Sequence, residues 1–282
     1  SADSNGNVIL EPRWTANTLS VIYNANGGTA SNATISGTLY YNGESTSSGK
    51  VAGDMYHSTS SSTKSTYMQV RNYGEQINLV NASSFGLTRF GYVFAGWGIA
   101  SNTSYTATVA TNENTANQRF SQSVDYNLSK LANINTRSQS IRLYAIWQPN
   151  TYTITYKWSD GTPITGLTPD KYTYGTGATL ASVPSATGHT TSGWYTSSAC
   201  TGSTVSSIGT TATGNKTFYA KKVANTYTIT YRWSDGTNDM GTITGLTPTT
   251  FTYGTTPALP TKSQVTKALD YYQLVDVWYT NL

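Results

Sequence analysis

Two histidines are the first residues to consider for catalysis, because an imidazole can serve as a general base or as a metal ligand. His57 and His189 lie 132 positions apart, and neither is followed by a nucleophile elbow or by the spacing of a metal site. His57 stands in a Ser/Thr-rich stretch and His189 follows a glycine, so both are expected to be exposed to solvent. The sequence therefore predicts neither a catalytic residue nor a metal site.

The carboxylates and the single cysteine are equally poor candidates for chemistry. A glycosidase needs two carboxylates that face one cleft, whereas the 13 acidic residues of this chain are spread thinly. Asp160 and Asp235 each precede a glycine, which is typical of residues that form turns. Cys200 lies in a Ser/Thr-rich stretch without an activating base, and a lone cysteine excludes a disulfide framework. We expect no enzymatic activity and no cofactor.

The composition instead favours a fold built mainly of β-strands. Only 11% of residues are charged while 12% are aromatic, including 22 tyrosines, and such a bias fits short strands with one buried face. The net charge of +4 is scattered along the chain, so a nucleic-acid surface is not expected. No apolar stretch is long enough to cross a bilayer, so membrane insertion is not expected.

Internal repetition gives the strongest signal in the sequence. The segment TYTITYKWSDGT at 151–162 returns as TYTITYRWSDGT at 226–237, and ITGLTP at 164–169 returns at 243–248. The alternation of aromatic or aliphatic residues with Thr and Lys in these segments predicts a strand with one buried face, followed by a tight Asp-Gly turn.

A third, diverged copy lies upstream. Its start is NTLSVIYNANGG (17–28), its end is RLYAIWQPN (142–150), and a Gly/Trp segment stands between them, as in the later copies. The recurring tryptophans are expected in the cores of the repeats rather than on a sugar-binding surface: Trp97, Trp147, Trp158, Trp194, Trp233 and Trp278.

The order VIYNANGG, RFGYVFAGW and LYAIW in the first copy resembles the Listeria–Bacteroides repeat, the B-repeat of internalin-type surface proteins. The later copies depart from it, with WSDG in place of NANGG and Lys222 in the place of Trp147. The resemblance implies small modules similar to the β-grasp fold, secretion and tandem use on a bacterial surface. We therefore predict an extracellular, cell-surface location.

The repeats divide the chain into an N-terminal strand and three modules. Residues 1–17 contain the strand, and 18–150 form the first module with a long insertion at about 36–72. Residues 151–225 and 226–282 form the second and third modules. The spacing of apolar residues in SQSVDYNLSKLANI (121–134) predicts one short helix that covers the sheet.

The sequence predicts an array that is offset by one strand. VILEPRWTAN (8–17) resembles the last strand of a module, with Trp14 in the place of Trp147, whereas the third module lacks its last strand. This offset favours a structural protein that assembles head-to-tail into a filament, one copy donating a strand to the third module of the next. Pro12 restricts the register because it cannot donate a ladder hydrogen bond. The residues expected in the donated strand are Val8, Ile9, Leu10, Arg13 and Trp14.

The alternative is that the chain is an excerpt of a longer array, the stalk or ligand-binding region of an adhesin. In that case the partner would be a host protein or a glycan, and the N-terminal strand would belong to a preceding module. The aromatic residues available for such binding are those of the insertion: Tyr40, Tyr41, Tyr56 and Tyr67.

Overall fold

The computed structural model contains two compact units, the first formed by residues 1–151 and 173–175 and the second by 152–172 and 176–282. The sequence repeats, named here first (18–150), second (151–225) and third (226–282), are a separate division that remains a prediction. The structure describes residues 4–8, 10–16, 18–30, 55–57, 66–72, 74, 76–79, 82–110, 118–121, 125–127, 140–235, 237–265 and 278.

The first unit is organised around a five-stranded sheet of order β3-β4-β1-β9-β7. In this sheet β1 runs parallel to β9, and β7 runs antiparallel to β9 on its other side. Two small sheets, β2-β6 and β5-β8, complete the unit, and a 3-10 turn lies at Ala82–Phe85. Its strands are β1 (Thr18–Asn24), β2 (Thr29–Ala30), β3 (Met55–His57), β4 (Thr66–Asn72), β5 (Gln76–Asn78), β6 (Leu87–Thr88), β7 (Tyr92–Gly98), β8 (Asp125–Asn127) and β9 (Ser140–Pro149).

The rest of the chain forms a second five-stranded sheet and three pairs of strands. The order in the sheet is β11-β10-β16-β14, and β12 also pairs with β10. The pairs are β13-β15, β17-β20 and β18-β19, and a 3-10 turn lies at Lys262–Gln264. The strands are β10 (Thr151–Trp158), β11 (Pro163–Ile164), β12 (Lys171–Thr173), β13 (Ala178–Thr179), β14 (His189–Tyr195), β15 (Ser207–Ile208), β16 (Lys216–Ala224), β17 (Thr226–Thr228), β18 (Tyr231–Ser234), β19 (Asp239–Ile243) and β20 (Thr250–Thr252).

Strand β10 shows how the repeated sequence produces this sheet. Ile154 and Tyr156 point into the core, and Thr151 and Thr153 are exposed, as strand periodicity requires. The chain then turns at Gly161, whose φ of 88° suits glycine, and β11 returns antiparallel to β10. The predicted strand and hairpin are thus confirmed in the second repeat.

The first and second repeats place their strands in the same order. In each repeat the last strand, β9 or β16, lies between a parallel partner at the start of the repeat and an antiparallel strand that contains the Gly/Trp segment. Strands dominate throughout, so the predicted mainly β architecture is confirmed.

The predicted helix over 121–134 is wrong in its described part. Residues Asp125–Asn127 form β8, which pairs antiparallel with Gln76–Asn78. Val124, Leu128, Leu131 and Ile134, on which the helical spacing depended, lie outside the described residues. A pairing partner about fifty residues away along the chain decides the conformation here, which a local periodicity cannot anticipate.

Candidate functional site

Each repeat places one tyrosine of its first strand against the tryptophan of its Gly/Trp segment. The ring centroids are 4.9 Å apart for Tyr23 and Trp97, 4.7 Å for Tyr156 and Trp194, and 5.1 Å for Tyr231 and Trp278. Tilted and edge-to-face pairs of this kind stabilise a core beyond the burial of their area.

The Tyr23 hydroxyl donates to Gln69 Oε1 at 3.1 Å, whereas the polar atoms of the rings in the second and third repeats have backbone partners. The hydroxyl of Tyr156 donates to the carbonyl of Pro169, and that of Tyr231 donates to the carbonyl of Pro248. The indole Nε1 of Trp194 donates to Ala181 O, and that of Trp278 to Pro260 O, each at 2.6 Å. Burial raises the pKa of the Tyr156 hydroxyl, which therefore stays neutral and able to donate. The Tyr23–Trp97 and Tyr156–Trp194 pairs are each part of a hydrophobic core cluster.

Of the six tryptophans expected in the cores, four are buried and two are half-buried. Trp97 and Trp194 are almost fully buried, and Trp147 and Trp233 are buried nearly as well. Trp158 and Trp278 are half-buried, and Trp158 packs against the core of the second unit.

The turn after the first strand is closed differently in the first and second repeats. In the first, Trp147 Nε1 donates to Ala25 O at 2.9 Å, and the indole lies so close to Gly28 that a Cβ there would overlap it. In the second, the equivalent residue is Lys222, whose Nζ lies 2.8 Å from Asp160 Oδ2 and 5.5 Å from the centroid of the Trp158 ring. The hydrogen bond from Lys222, together with those from Thr162, lowers the pKa of Asp160.

The third repeat keeps the acidic residue of this turn. Asp235 accepts hydrogen bonds from the backbone N–H groups of Thr237 and Asn238 and from the Asn238 side chain. These bonds, led by the one from the Asn238 backbone, lower the pKa of Asp235. Both acidic residues thus stabilise turns, in keeping with the interpretation made from the sequence.

The N-terminal segment differs sharply from the cores. Val8, Leu10 and Trp14 have exposed fractions of 65%, 88% and 87%, and Arg13 is exposed too. Residues 10–16 belong to no strand, and Ile9 lies outside the described residues. Trp14 is therefore exposed, although the sequence places it at the position of the buried Trp147. A segment with this much exposed apolar surface is a candidate for binding another surface.

Among the described side chains, His189 and Cys200 show no catalytic arrangement. His189 is half-buried rather than exposed as predicted: its ring packs against Tyr253 at 5.2 Å, and its Nδ1 lies 2.8 Å from Thr187 O. His57 lies in β3, and its side chain is outside the described part of the chain. Cys200 is buried, and burial raises the pKa of its thiol, which opposes formation of a nucleophilic thiolate.

Among the residues that the structure describes, no three His, Cys, Asp or Glu side chains are grouped so that they could hold a metal ion. A shallow depression lies beside Trp194, lined by Leu180, Val183 and Val205. It presents no charged side chain. In the described part of the chain, no helix has the length and apolar character needed to span a bilayer.

A β-rich chain with two similar sheets, paired Tyr–Trp cores and turn-forming acidic residues belongs to the class of repeat proteins. Residues 152–221 match the family model of the Listeria-Bacteroides repeat domain, which confirms the predicted resemblance in this part of the chain. The matched segment is the second repeat, whereas the sequence motifs pointed most strongly to the first. Searches of the curated proteins and of the solved structures returned no match.

The matched family indicates the coarse character of the protein. Its repeats occur in bacterial surface proteins and are typically structural rather than enzymatic. The match in the second repeat therefore indicates a repeat protein of the surface-associated kind.

Proposed function

We propose that this chain is a non-enzymatic structural protein of a bacterial cell surface, located outside the cell. Copies of the chain associate head-to-tail when residues 8–16 of one copy add a strand to the third repeat of another. The observation that carries this proposal is the exposure of Leu10 and Trp14, which belong to no strand, together with that of Val8, which forms a single β-bridge. Apolar side chains are more stable when removed from water, by roughly 25 cal/mol per Å² of buried area.

The acceptor that we propose is β18 of the third repeat. The equivalent strands β1 and β10 pair in parallel with the last strand of their repeat. Among the described residues, β18 pairs with β19, and no parallel partner for β18 is present. An added strand would satisfy backbone groups on that edge by β-augmentation.

The register that aligns Trp14 with Trp147 and Lys222 puts Pro12 at the position of Ala220. In the second repeat the strand opposite Ala220 has a β-bulge between Ser192 and Trp194, so the ladder is irregular at this point. A bulge is one of the few places in a sheet where proline, which has no N–H, is tolerated. The sequence of the segment is thus compatible with strand donation in this register.

The experiment compares the chain with a variant that lacks residues 1–14, by sedimentation velocity over a range of concentrations. We expect the full chain to form a concentration-dependent series of oligomers and the truncated variant to stay monomeric. A synthetic peptide of residues 7–17 should bind the truncated variant, and a peptide with Leu10 and Trp14 replaced by serine should not. Unchanged assembly after truncation would overturn the strand-donation proposal.

A further inference from the structure

A small joint connects the second and third repeats through the backbone of Asn225. The N–H of Asn225 donates to Gly188 O at 2.9 Å, and the N–H of Tyr253 donates to Asn225 O at 2.9 Å. The Tyr253 ring covers Gly188, where an added Cβ would overlap Cγ, Cδ2 and Cε2 of that ring. Three segments that are far apart in sequence therefore meet at one point inside the second unit.

The same arrangement occurs in the first unit with different residues. The N–H of Asn150 donates to Gly91 O at 2.9 Å, and the N–H of Tyr174 donates to Asn150 O at 2.9 Å. A Cβ on Gly91 would lie 2.5 Å from ring carbons of Tyr174. Tyr174 belongs to the compact first unit, although the residues on either side of 173–175 belong to the second.

Glycine is required at both acceptor positions for two reasons. Gly91 and Gly188 have φ values of 78° and 68°, a left-handed conformation that other residues adopt only with strain. The second reason is space, because a tyrosine ring lies directly over each glycine. Aromatic neighbours hold these rings at their edges, with Tyr92 5.3 Å from Tyr174 and His189 5.2 Å from Tyr253.

The tyrosine of the joint is followed by a glycine, and this pair recurs along the chain. A Tyr-Gly pair occurs in every repeat, at 73–74, 174–175 and 253–254, and the φ values of its glycine are 84°, 88° and 82°. The acceptor glycine precedes the core tryptophan by six residues in the first and second repeats, whereas the third has Tyr272 at that place. The sequence thus contains two acceptor glycines, and each forms a joint in the described part of the chain.

We propose that the Gly–Asn–Tyr joint is a recognition surface for tandem repeats. The glycine turn of one repeat and the Asn that ends it bind the Tyr-Gly turn of the repeat that follows. The partner that fits this surface is therefore another repeat with a Tyr-Gly pair after its short edge strand. This inference is independent of strand donation, since it concerns neither the N-terminal segment nor β18.

The decisive experiment distinguishes two effects of replacing the acceptor glycine by alanine: overlap of the new Cβ with the Tyr253 ring, and strain of the backbone. Gly188→Ala and Gly202→Ala both place alanine at a positive φ, but Gly202 has no heavy atom within 4 Å of its added Cβ. In the full chain we expect Gly188→Ala to speed hydrogen exchange of the Asn225 and Tyr253 amides by about tenfold or more. Gly202→Ala should leave both amides within about twofold of the unchanged chain.

A double-mutant cycle tests the pairing itself. Tyr253→Ala removes the ring, so adding Gly188→Ala to it should speed exchange of the Asn225 amide no further, whereas Tyr253→Phe should behave like the unchanged chain. The first joint should give the same result with Gly91→Ala and Tyr174→Ala. If Gly188→Ala has the same effect with and without the Tyr253 ring, or no effect beyond that of Gly202→Ala, the proposal is overturned.

Discussion

Lys222 Nζ lies 2.8 Å from Asp160 Oδ2, at the position that Trp147 occupies in the first repeat. Lys222 and Trp147 each follow by two residues the alanine that pairs with the core tryptophan, Ala220 with Trp194 and Ala145 with Trp97. One repeat closes its turn with an indole hydrogen bond and packing, and the other with an ion pair. Two chemically different solutions to one structural requirement should respond differently to pH and to mutation.

The ion pair predicts a pH-dependent contribution to the stability of the second repeat. The pKa of Asp160 is lower in the folded protein than its ordinary value of 3.8, so the contribution is present above that value and is lost as pH falls below it. Asp160 is 48% exposed, so solvent screening limits the effect to about 1 kcal/mol or less. Thermal unfolding of the unchanged chain and of Asp160→Asn should differ at pH 7 and converge near pH 2.

A control variant tests whether this difference in stability comes from the Lys222–Asp160 ion pair. Lys222→Met removes the charge and keeps an apolar stem over Trp158, and in its background Asp160→Asn should have a smaller effect at pH 7. A full, undiminished effect of Asp160→Asn in that background would contradict the assignment.

A buried tryptophan, Trp194, and an exposed one, Trp14, predict opposite results for the same substitution to alanine. Trp194→Ala removes a buried ring and should reduce the free energy of unfolding by about 3–5 kcal/mol. Trp14→Ala removes an exposed ring, so it should change that free energy by about 0.5 kcal/mol or less while weakening self-association. Urea unfolding and sedimentation velocity on both variants measure the two effects, and a large loss of stability with Trp14→Ala would show that the segment packs on its own chain.

Because the Trp147 indole packs on the turn at Gly28, a larger residue at this position should destabilise the fold. A Cβ on Gly28 would overlap the indole and lie 2.8 Å from Thr88 O, so Gly28→Ala should reduce the free energy of unfolding by about 1–3 kcal/mol. Gly209→Ala is the matched control, because its Cβ would meet no heavy atom within 4 Å and its φ is not left-handed. The control should be neutral in urea unfolding, and equal losses from both variants would refute the steric explanation.

Strand donation predicts that Pro12→Ala strengthens self-association. Alanine supplies an N–H that proline lacks, and one hydrogen bond contributes about 1 kcal/mol, so the dissociation constant should fall roughly fivefold. Sedimentation equilibrium of the two chains measures the change. Val8→Ser, which removes an exposed apolar side chain, should act in the opposite direction, and a Pro12→Ala variant that associates more weakly would speak against the proposed register.

Part of the fold was predictable from the sequence because it depends on short-range patterns. Alternation along TYTITYKW indicates β10 and its buried face, and the Asp-Gly turn after it indicates the hairpin with β11. The near-identical copies then extend that prediction to the third repeat, where β18 and β19 pair. Local sequence suffices wherever the interacting residues are neighbours along the chain.

Predictions from the sequence were wrong where contacts between distant segments decide the conformation or the burial of a residue. The helix predicted near Asp125 is a strand because residues 76–78 pair with it, and His189 is half-buried because Tyr253, 64 residues further on, packs against it. Burial and strand pairing of this kind depend on which segments meet in the folded chain. A local sequence pattern does not predict such contacts.

The sequence by itself determined that the chain is β-rich and repetitive and that it resembles the Listeria–Bacteroides repeat, because alternation and copied motifs are properties of consecutive residues. Only the tertiary structure decided that Trp14 is exposed while Trp147 is buried, and that Lys222 replaces an indole with an ion pair. It also revealed the joints at Gly91 and Gly188. Each of these depends on contacts between segments separated by tens of residues, which form only when the whole chain packs.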